Sequence, residues 1–242
     1  MCTVTVIPLA GAGLRLVSNR DELRTRPPSS LPREHAIGGG RALWPVDPTG
    51  GGTWIGVSDH GVAMSLLNLN LDPRPSVPDN TVSRGSIITS VIEQPTGARV
   101  IEAVRSLDLA RAYTFRLVVA DARGVWCARW DRDALTIDEH PLAPICFASS
   151  GLGDHLVQER LPLWDEMVRE RGATPVTQDA FHAHETPGRG FASVLMDREL
   201  ARTTSTTVTE VREHTVAIAH RDDDGWHGAT ELDRRCAAAG AR

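Results

Sequence analysis

Lysine is absent from this chain: all 26 of its basic residues are arginine. No Schiff-base lysine and no phosphate-loop lysine is therefore available. The bias is of the kind that GC-rich bacterial genomes produce. Cysteine is sparse, at four in 242 residues, and Cys2, Cys127, Cys146 and Cys236 match no metal-ligand spacing. Four cysteines in a chain this long do not make a disulfide scaffold either. No apolar run is long enough to span a membrane, and no basic segment followed by an apolar one marks a secretory signal. The expected location is the cytoplasm, with thiols reduced. A net charge of −5 leaves no basic excess for nucleic acid. What the chain does have is 41% hydrophobic residues, enough for a substantial core. With no low-complexity linker and no repeat, residues 1–242 are expected to form one domain.

Residues 3–7 (TVTVI) alternate as a half-buried strand does, and LRLVS (14–18) alternates again after the turn signal AGAG. The first eighteen residues thus predict a β-hairpin. A second hairpin is expected over 53–58 and 62–68, with residues 24–52 and 69–82 as long loops. Residues 83–107 predict helix, with Ser83 as N-cap and Pro95 as a break. Strands are expected at 114–121, 124–131 and 144–150, and a helix over 154–171 that Pro162 kinks or starts. A last hairpin runs through TSTTVTEV and HTVAIAH, and the polar tail from Asp222 is expected to fray. Hairpins at both ends with helices between point to an α+β fold.

The chemistry concentrates at Cys2. An ordinary thiol with a pKa of about 8.5 is only slightly ionised at neutral pH, whereas an α-amine titrates at roughly 7.7–8.0. If Met1 is removed, nucleophile and base share one residue, and a nearby Arg lowers the thiol pKa. A small buried hydrophobe at a strand start is the plain alternative. Asn19, Arg20, Asp21 and Glu22 follow the second strand directly. The hairpin returns them beside Cys2, where Arg20 can hold a thiolate and Asp21 can orient the α-amine. Asn68, ending a strand, can donate its amide to an oxyanion. His182-Ala-His184-Glu185 hints at metal, but without further ligands it is better read as surface polarity. The stretch ARTTSTT (201–207) is accounted for by β-propensity alone.

Cys2, the run Asn19-Arg20-Asp21-Glu22 before an Arg-Pro loop, and Gly52-Thr53-Trp54-Ile55-Gly56 together resemble the NRDE, or transport-and-Golgi-organisation, family. Leu67-Asn68, Ser83-Arg84-Gly85, FRLVVAD, FASSGL and Arg202-Thr203-Thr204-Ser205 extend the match along nearly the whole chain. The resemblance implies the N-terminal-nucleophile (Ntn) hydrolase fold, a four-layer αββα sandwich of two mostly antiparallel sheets. Distant relatives similar to this family, the penicillin V acylase and bile-salt hydrolase group, cleave non-peptide amides with a mature N-terminal Cys. By that likeness Cys2 is nucleophile and base, Asp21 partners the α-amine, and Asn68 and Ser150 face the oxyanion. Arg20 completes the catalytic set, and Asn19, Trp54 and Arg202 are expected to touch substrate. The sequence departs at Ser18, where those hydrolases carry Arg, and at Ser149-Ser150, where they use Asn.

Two functions compete. One is a cysteine hydrolase of a small-molecule amide or acyl bond, without metal or cofactor. The other is a non-catalytic carrier of haem or lipid on the same fold, with His60, His182 and His184 as the available histidines. A purely structural role is a third option that the polar constellation at a strand end disfavours.

Overall fold

A computed structural model describes residues 2–235, apart from 72, 74, 77–79 and 151. In chain order the elements are β1 (Cys2–Leu9), β2 (Gly13–Leu23), β3 (Arg33–Ile37), β4 (Gly40–Trp44), β5 (Ile55–Ser58), β6 (Ala63–Asn68), α1 (Ser86–Val91), α2 (Gly97–Arg105), β7 (Phe115–Asp121), β8 (Gly124–Trp130), β9 (Leu135–His140), β10 (Ile145–Ser149), α3 (Arg160–Arg171), α4 (Pro175–His182), β11 (Ala201–Val211), β12 (Thr215–Asp222) and β13 (Gly225–Asp233). The strands form a six-stranded sheet in the order β10-β1-β2-β11-β12-β13 and a seven-stranded sheet in the order β3 to β9. Every named pairing is antiparallel.

Three apolar layers set the architecture. Val4, Leu14, Leu16, Ile55, Val57 and Val118 interdigitate between the sheets. Ile88, Val91, Val100 and Val104 of α1 and α2 cover the outer face of the larger sheet, over Met64 and Trp126. Trp164, Met167 and Phe181 of α3 and α4 cover the smaller sheet over Ile7. The result is the expected α+β sandwich in four αββα layers.

Several expectations change in detail. Strand β1 is buried on both faces, not one, because the Thr3 and Thr5 face lies under α3 and α4. The supposed loop 24–52 contains the β3–β4 hairpin, whose turn uses Gly38 and Gly39 at φ of 30° and 117°. The helix expected over 83–107 is two helices separated around Pro95, and α1 starts three residues after Ser83 with Gly85 in the capping position. Ser83 instead accepts the Gly85 N–H on its hydroxyl and the Ser86 hydroxyl on its carbonyl. Beyond Asp222 the polar tail is ordered as β13, because it pairs with β12 through residue 233. Cys236 lies outside the described residues.

Candidate active site

Cys2 opens β1, paired with Arg20 of β2 on one side and Ser149 of β10 on the other. Residues directly opposite in a ladder project from the same face. That face is the one between the sheets, where Cys2 joins Val4 and Val6. Its side chain is 8% exposed and borders a cavity of ≈ 350 Å³ that also takes in Arg20, Trp54 and Asn68. Arg20 donates to Asp47 at 2.7 Å and lies 4.6 Å over the Trp54 ring. Asn68 ends β6, and its amide makes no hydrogen bond among the described residues. It is therefore available to a ligand in the cavity.

The alternation of β2 divides the Asn-Arg-Asp-Glu run. The strand continues through all four residues because β11 pairs with it from Leu14 to Leu23. Arg20 and Glu22 face the cavity, while Asn19 and Asp21 turn to the helical layer. Asn19, expected at the substrate, instead donates to the carbonyls of His182 (2.9 Å) and Val194 (3.0 Å). Ser150 is likewise turned away: its hydroxyl accepts the Leu152 N–H at 3.2 Å, and Ser149 is the residue across from Cys2. Arg202 is not brought to Cys2 either; it pairs with Asp223 at the far end of β11 and β12. His60, His182 and His184 are all absent from the cavity wall, so no histidine is placed to ligate haem there. Among the described residues no group of three His, Cys, Asp or Glu side chains could hold a metal ion. Among the described residues no helix is long and apolar enough to cross a membrane.

A family model described as Transport and Golgi organisation 2 matches residues 1–221. The chain belongs to the Transport and Golgi organisation 2 family. No curated protein matches it. Among solved structures it is similar to penicillin V acylase from Agrobacterium tumefaciens, at 12% identity and a TM-score of 0.58, covering 96% of this chain and 86% of that one. Conjugated bile acid hydrolase from Clostridium perfringens aligns at 10% identity and a TM-score of 0.61 over 96% and 92% of the two chains. The Caenorhabditis elegans N-acylethanolamine-hydrolyzing acid amidase ortholog aligns at 13% and 0.56 over 86% and 92%. At such identities the likeness shows the fold, which is that of the Ntn hydrolases.

In this member of the Transport and Golgi organisation 2 family, the residues hidden from sequence reasoning are those behind the sheet. Arg160, at the start of α3, is fully buried. Its Nη1 donates to Thr3 at 2.7 Å and lies 3.6 Å from the Asp21 carboxylate, and its Nε donates to the Phe191 carbonyl at 3.2 Å. Asp21 also accepts the Thr203 hydroxyl at 2.6 Å. Burial holds the Asp21 carboxyl above its ordinary value, with Arg160 opposing. Burial likewise raises the Cys2 thiol, and the Asp21 and Glu22 charges add to it while Arg20 works the other way. The threonines of 201–207 do more than favour a strand. Thr204 donates to the Arg20 carbonyl and Thr206 to Asn19 Oδ1, so β11 is a rack of hydroxyls that holds the polar run of β2. The ladder shifts between Thr203 and Ser205, which leaves Thr204 as the extra residue of a bulge opposite the Arg20–Asp21 step.

His182 is also buried, contrary to the expectation of a surface cluster. It ends α4, a helix that Thr174 and Pro175 announce as N-cap and first position. Asn19 spends its amide hydrogens on two carbonyls, so its Oδ1 accepts, and His182 Nδ1 must carry the hydrogen (3.0 Å). Gln178 donates to Thr5 Oγ1 at 2.8 Å, which leaves the Thr5 hydroxyl to donate to His182 Nε2 at 2.7 Å. Both ring nitrogens are satisfied in the neutral form. Burial, reinforced by Arg15 and Arg160, pushes the His182 pKa down to about 3. The unfolded chain takes up this proton near pH 6.5 and the folded one does not, so stability is complete above about 6.5 and is lost as pH falls toward 3. His220, pushed down to about 4 by burial, acts in the same direction. Urea unfolding of the wild type at pH 5.0 and 7.0 should differ by roughly 2 kcal/mol or more. His182→Gln, which can keep both hydrogen bonds, should show a clearly smaller difference. An equal difference in both proteins refutes this assignment.

Proposed function

We propose that the chain is a cysteine Ntn hydrolase that cleaves a non-peptide amide or acyl bond, with Cys2 as nucleophile once Met1 is removed. The observation that carries the reading is the placement of Cys2 on the wall of a cavity, with the unbonded amide of Asn68 on the same cavity and Arg20 in register beside it. The neutral α-amine of Cys2 takes the thiol proton, and Sγ attacks the substrate carbonyl carbon. The oxyanion forms against the Asn68 amide, with the Ser149 hydroxyl, itself buried and without a hydrogen-bond partner, as second donor. As the tetrahedral species collapses, the bond to the leaving nitrogen or oxygen breaks and the α-ammonium returns the proton to it. A thioester remains on Cys2. Water, deprotonated by the same α-amine, attacks the thioester and releases the acid, restoring the thiol. Asp21, beside the start of β1 on the other face, holds the ammonium form, and Arg20 favours the thiolate.

Intact-mass spectrometry tests the scheme on protein made in cells. The expected species lacks Met1 and, mixed briefly with an acyl p-nitrophenyl ester, gains one acyl group on the Cys2 peptide that disappears on standing. Retention of Met1 sinks the reading, because the base is then an amide nitrogen.

A further inference from the structure

The cavity beside Cys2 carries an imbalance of charge. Among the described residues three guanidinium groups line it, from Arg20, Arg26 and Arg84, against two carboxylates, from Glu22 and Asp47. Asp47 receives both Arg20 and Arg26 at 2.7 Å, and Glu22 lies 3.5 Å and 3.7 Å from the same two. Although burial opposes its charge, the Asp47 carboxyl is held below its ordinary value by Arg26, the Gly50 N–H and Arg20. Those four groups neutralise one another. Arg84 is left over. Its Nη1 donates to the Thr114 carbonyl at 3.1 Å and its guanidinium lies 5.5 Å from the centre of the Tyr113 ring, but no carboxylate pairs with it among the described residues. Of its five N–H donors, most are unspent.

The backbone puts Arg84 there deliberately. Thr53 donates its N–H to the Gly85 carbonyl at 3.0 Å. A Cβ on Gly52 would stand 2.3 Å from the Gly85 carbonyl carbon, so only glycine allows the two loops to lie backbone against backbone. This clamp joins the Gly-Thr-Trp loop to Ser83-Arg84-Gly85 and fixes the root of Arg84 at the mouth of the Cys2 cavity. Partial burial with no carboxylate in contact among the described residues is a cost, and it lowers the Arg84 pKa below the usual guanidinium value against the opposing pull of Cys2, Glu22 and Tyr113. A planar carboxylate that accepted two of its N–H groups would offset that cost.

We propose that Arg84 is a specificity-determining residue and that the site takes acyl compounds bearing a carboxylate close to the bond that reacts with Cys2. The proposal rests on Cys2 being the reacting group of the cavity, but not on turnover. The test therefore uses simple alkylation, in which Sγ displaces iodide from carbon and the thiol proton passes to solvent. Iodoacetate and 3-iodopropionate are compared with their neutral amides, and the Cys2 peptide is quantified by mass spectrometry, with buried Cys127 and half-buried Cys146 as controls. In the wild type at least one of the two acids should react faster relative to its amide than it does in Arg84→Gln, by about tenfold, the scale of one charge-assisted hydrogen bond. Arg84→Lys should keep part of the preference, and Arg99→Gln, on the surface of α2, all of it.

Equal acid-to-amide ratios in wild type and Arg84→Gln overturn the proposal. So does an equal slowing of acid and amide, since Arg84 then acts on the thiol rather than on the ligand. Failure of every reagent to reach Cys2 overturns it as well. An acid preference that Arg84→Gln abolishes, in a protein that forms no acyl adduct, leaves the anion site standing and removes the hydrolase reading instead.

Discussion

Cys2→Ala should remove the hydrolase turnover proposed for this chain while leaving the chain folded. Among the described residues Cys2 is the only cysteine on the cavity that holds Asn68 and Arg20. The other described cysteines cannot stand in for it. Cys127 is on β8 of the other sheet with its thiol pushed up to about 11 by burial, and burial raises Cys146 further still. Removal of a nucleophile that acts as one unit with its base costs on the order of 10⁴- to 10⁶-fold in kcat. The structural loss is small by comparison, because Ala keeps the β1 ladder and deletes one sulfur from a site that already borders open space, a change of about 1 kcal/mol. Turnover of an acyl p-nitrophenyl ester and thermal unfolding, measured on the same preparation, check both halves. A Cys2→Ala protein that retains a tenth of wild-type activity means that the chemistry belongs to another group. Cys2→Ser separates nucleophile from base: it keeps the α-amine, yet its hydroxyl is far less ionisable than a thiol, so it too should be severely impaired.

The route from sequence to this site was legible in part, and the limits have physical causes. The β1–β2 hairpin announces itself by alternation and by a Gly-containing turn, and it correctly returns Arg20 to Cys2. The Asn-Arg-Asp-Glu run reads as a wet loop because its four residues are all polar and an Arg-Pro stretch follows. It is instead a buried strand, since β11 supplies Thr203, Thr204 and Thr206 as partners for its polar atoms. Once it is a strand, alternation sends Asn19 and Asp21 away from Arg20, a division that a loop reading has no reason to make. Ser149 and Ser150 differ by the same parity, and only the ladder register decides which of them faces Cys2. The β3–β4 hairpin escapes notice because its strand residues include Arg33, Glu34, His35 and Arg41 on an edge that water reaches. Nothing local marks Arg160 or His182 as buried: one looks like a charge on an amphipathic helix and the other like part of a polar cluster. Their burial is created by partners more than 150 positions away in the chain. The starting signals of α4, Thr174 with Pro175, were present and would have placed His182 on a helix rather than on a strand.

Arg160→Met is the substitution expected to cost the fold most. The methionine fills a similar volume and removes the charge that stands 3.6 Å from the fully buried Asp21 carboxylate. It also takes away the donor that Thr3 Oγ1 and the Phe191 carbonyl receive. Breaking one side of a buried pair costs about 3–5 kcal/mol, because the remaining charge keeps its desolvation penalty and loses its attraction. Against a typical total of roughly 5–15 kcal/mol, that is a large share. The pH dependence gives the effect a signature. Burial already raises the Asp21 carboxyl and Arg160 is the main opposing charge, so the variant drives it higher still. A carboxyl whose folded pKa exceeds its unfolded one takes up a proton on folding. The stability tied to that proton is present in full below about pH 3.9 and is lost as pH rises through the folded value. Relative to wild type, Arg160→Met should therefore be less damaged at pH 5 than at pH 7.5 in urea unfolding. Adding Asp21→Asn removes the charge that Arg160 had offset and should recover at least half of the loss at pH 7.5, because an amide can still accept the Thr203 hydroxyl. Turnover should not recover in that double variant, since the carboxylate proposed to hold the Cys2 amine is gone with the arginine beside it. If the single variant unfolds within 1 kcal/mol of wild type at both pH values, the Asp21–Arg160 contact does not organise the site. If stability and turnover return together, Asp21 has no part in the chemistry and serves the fold alone.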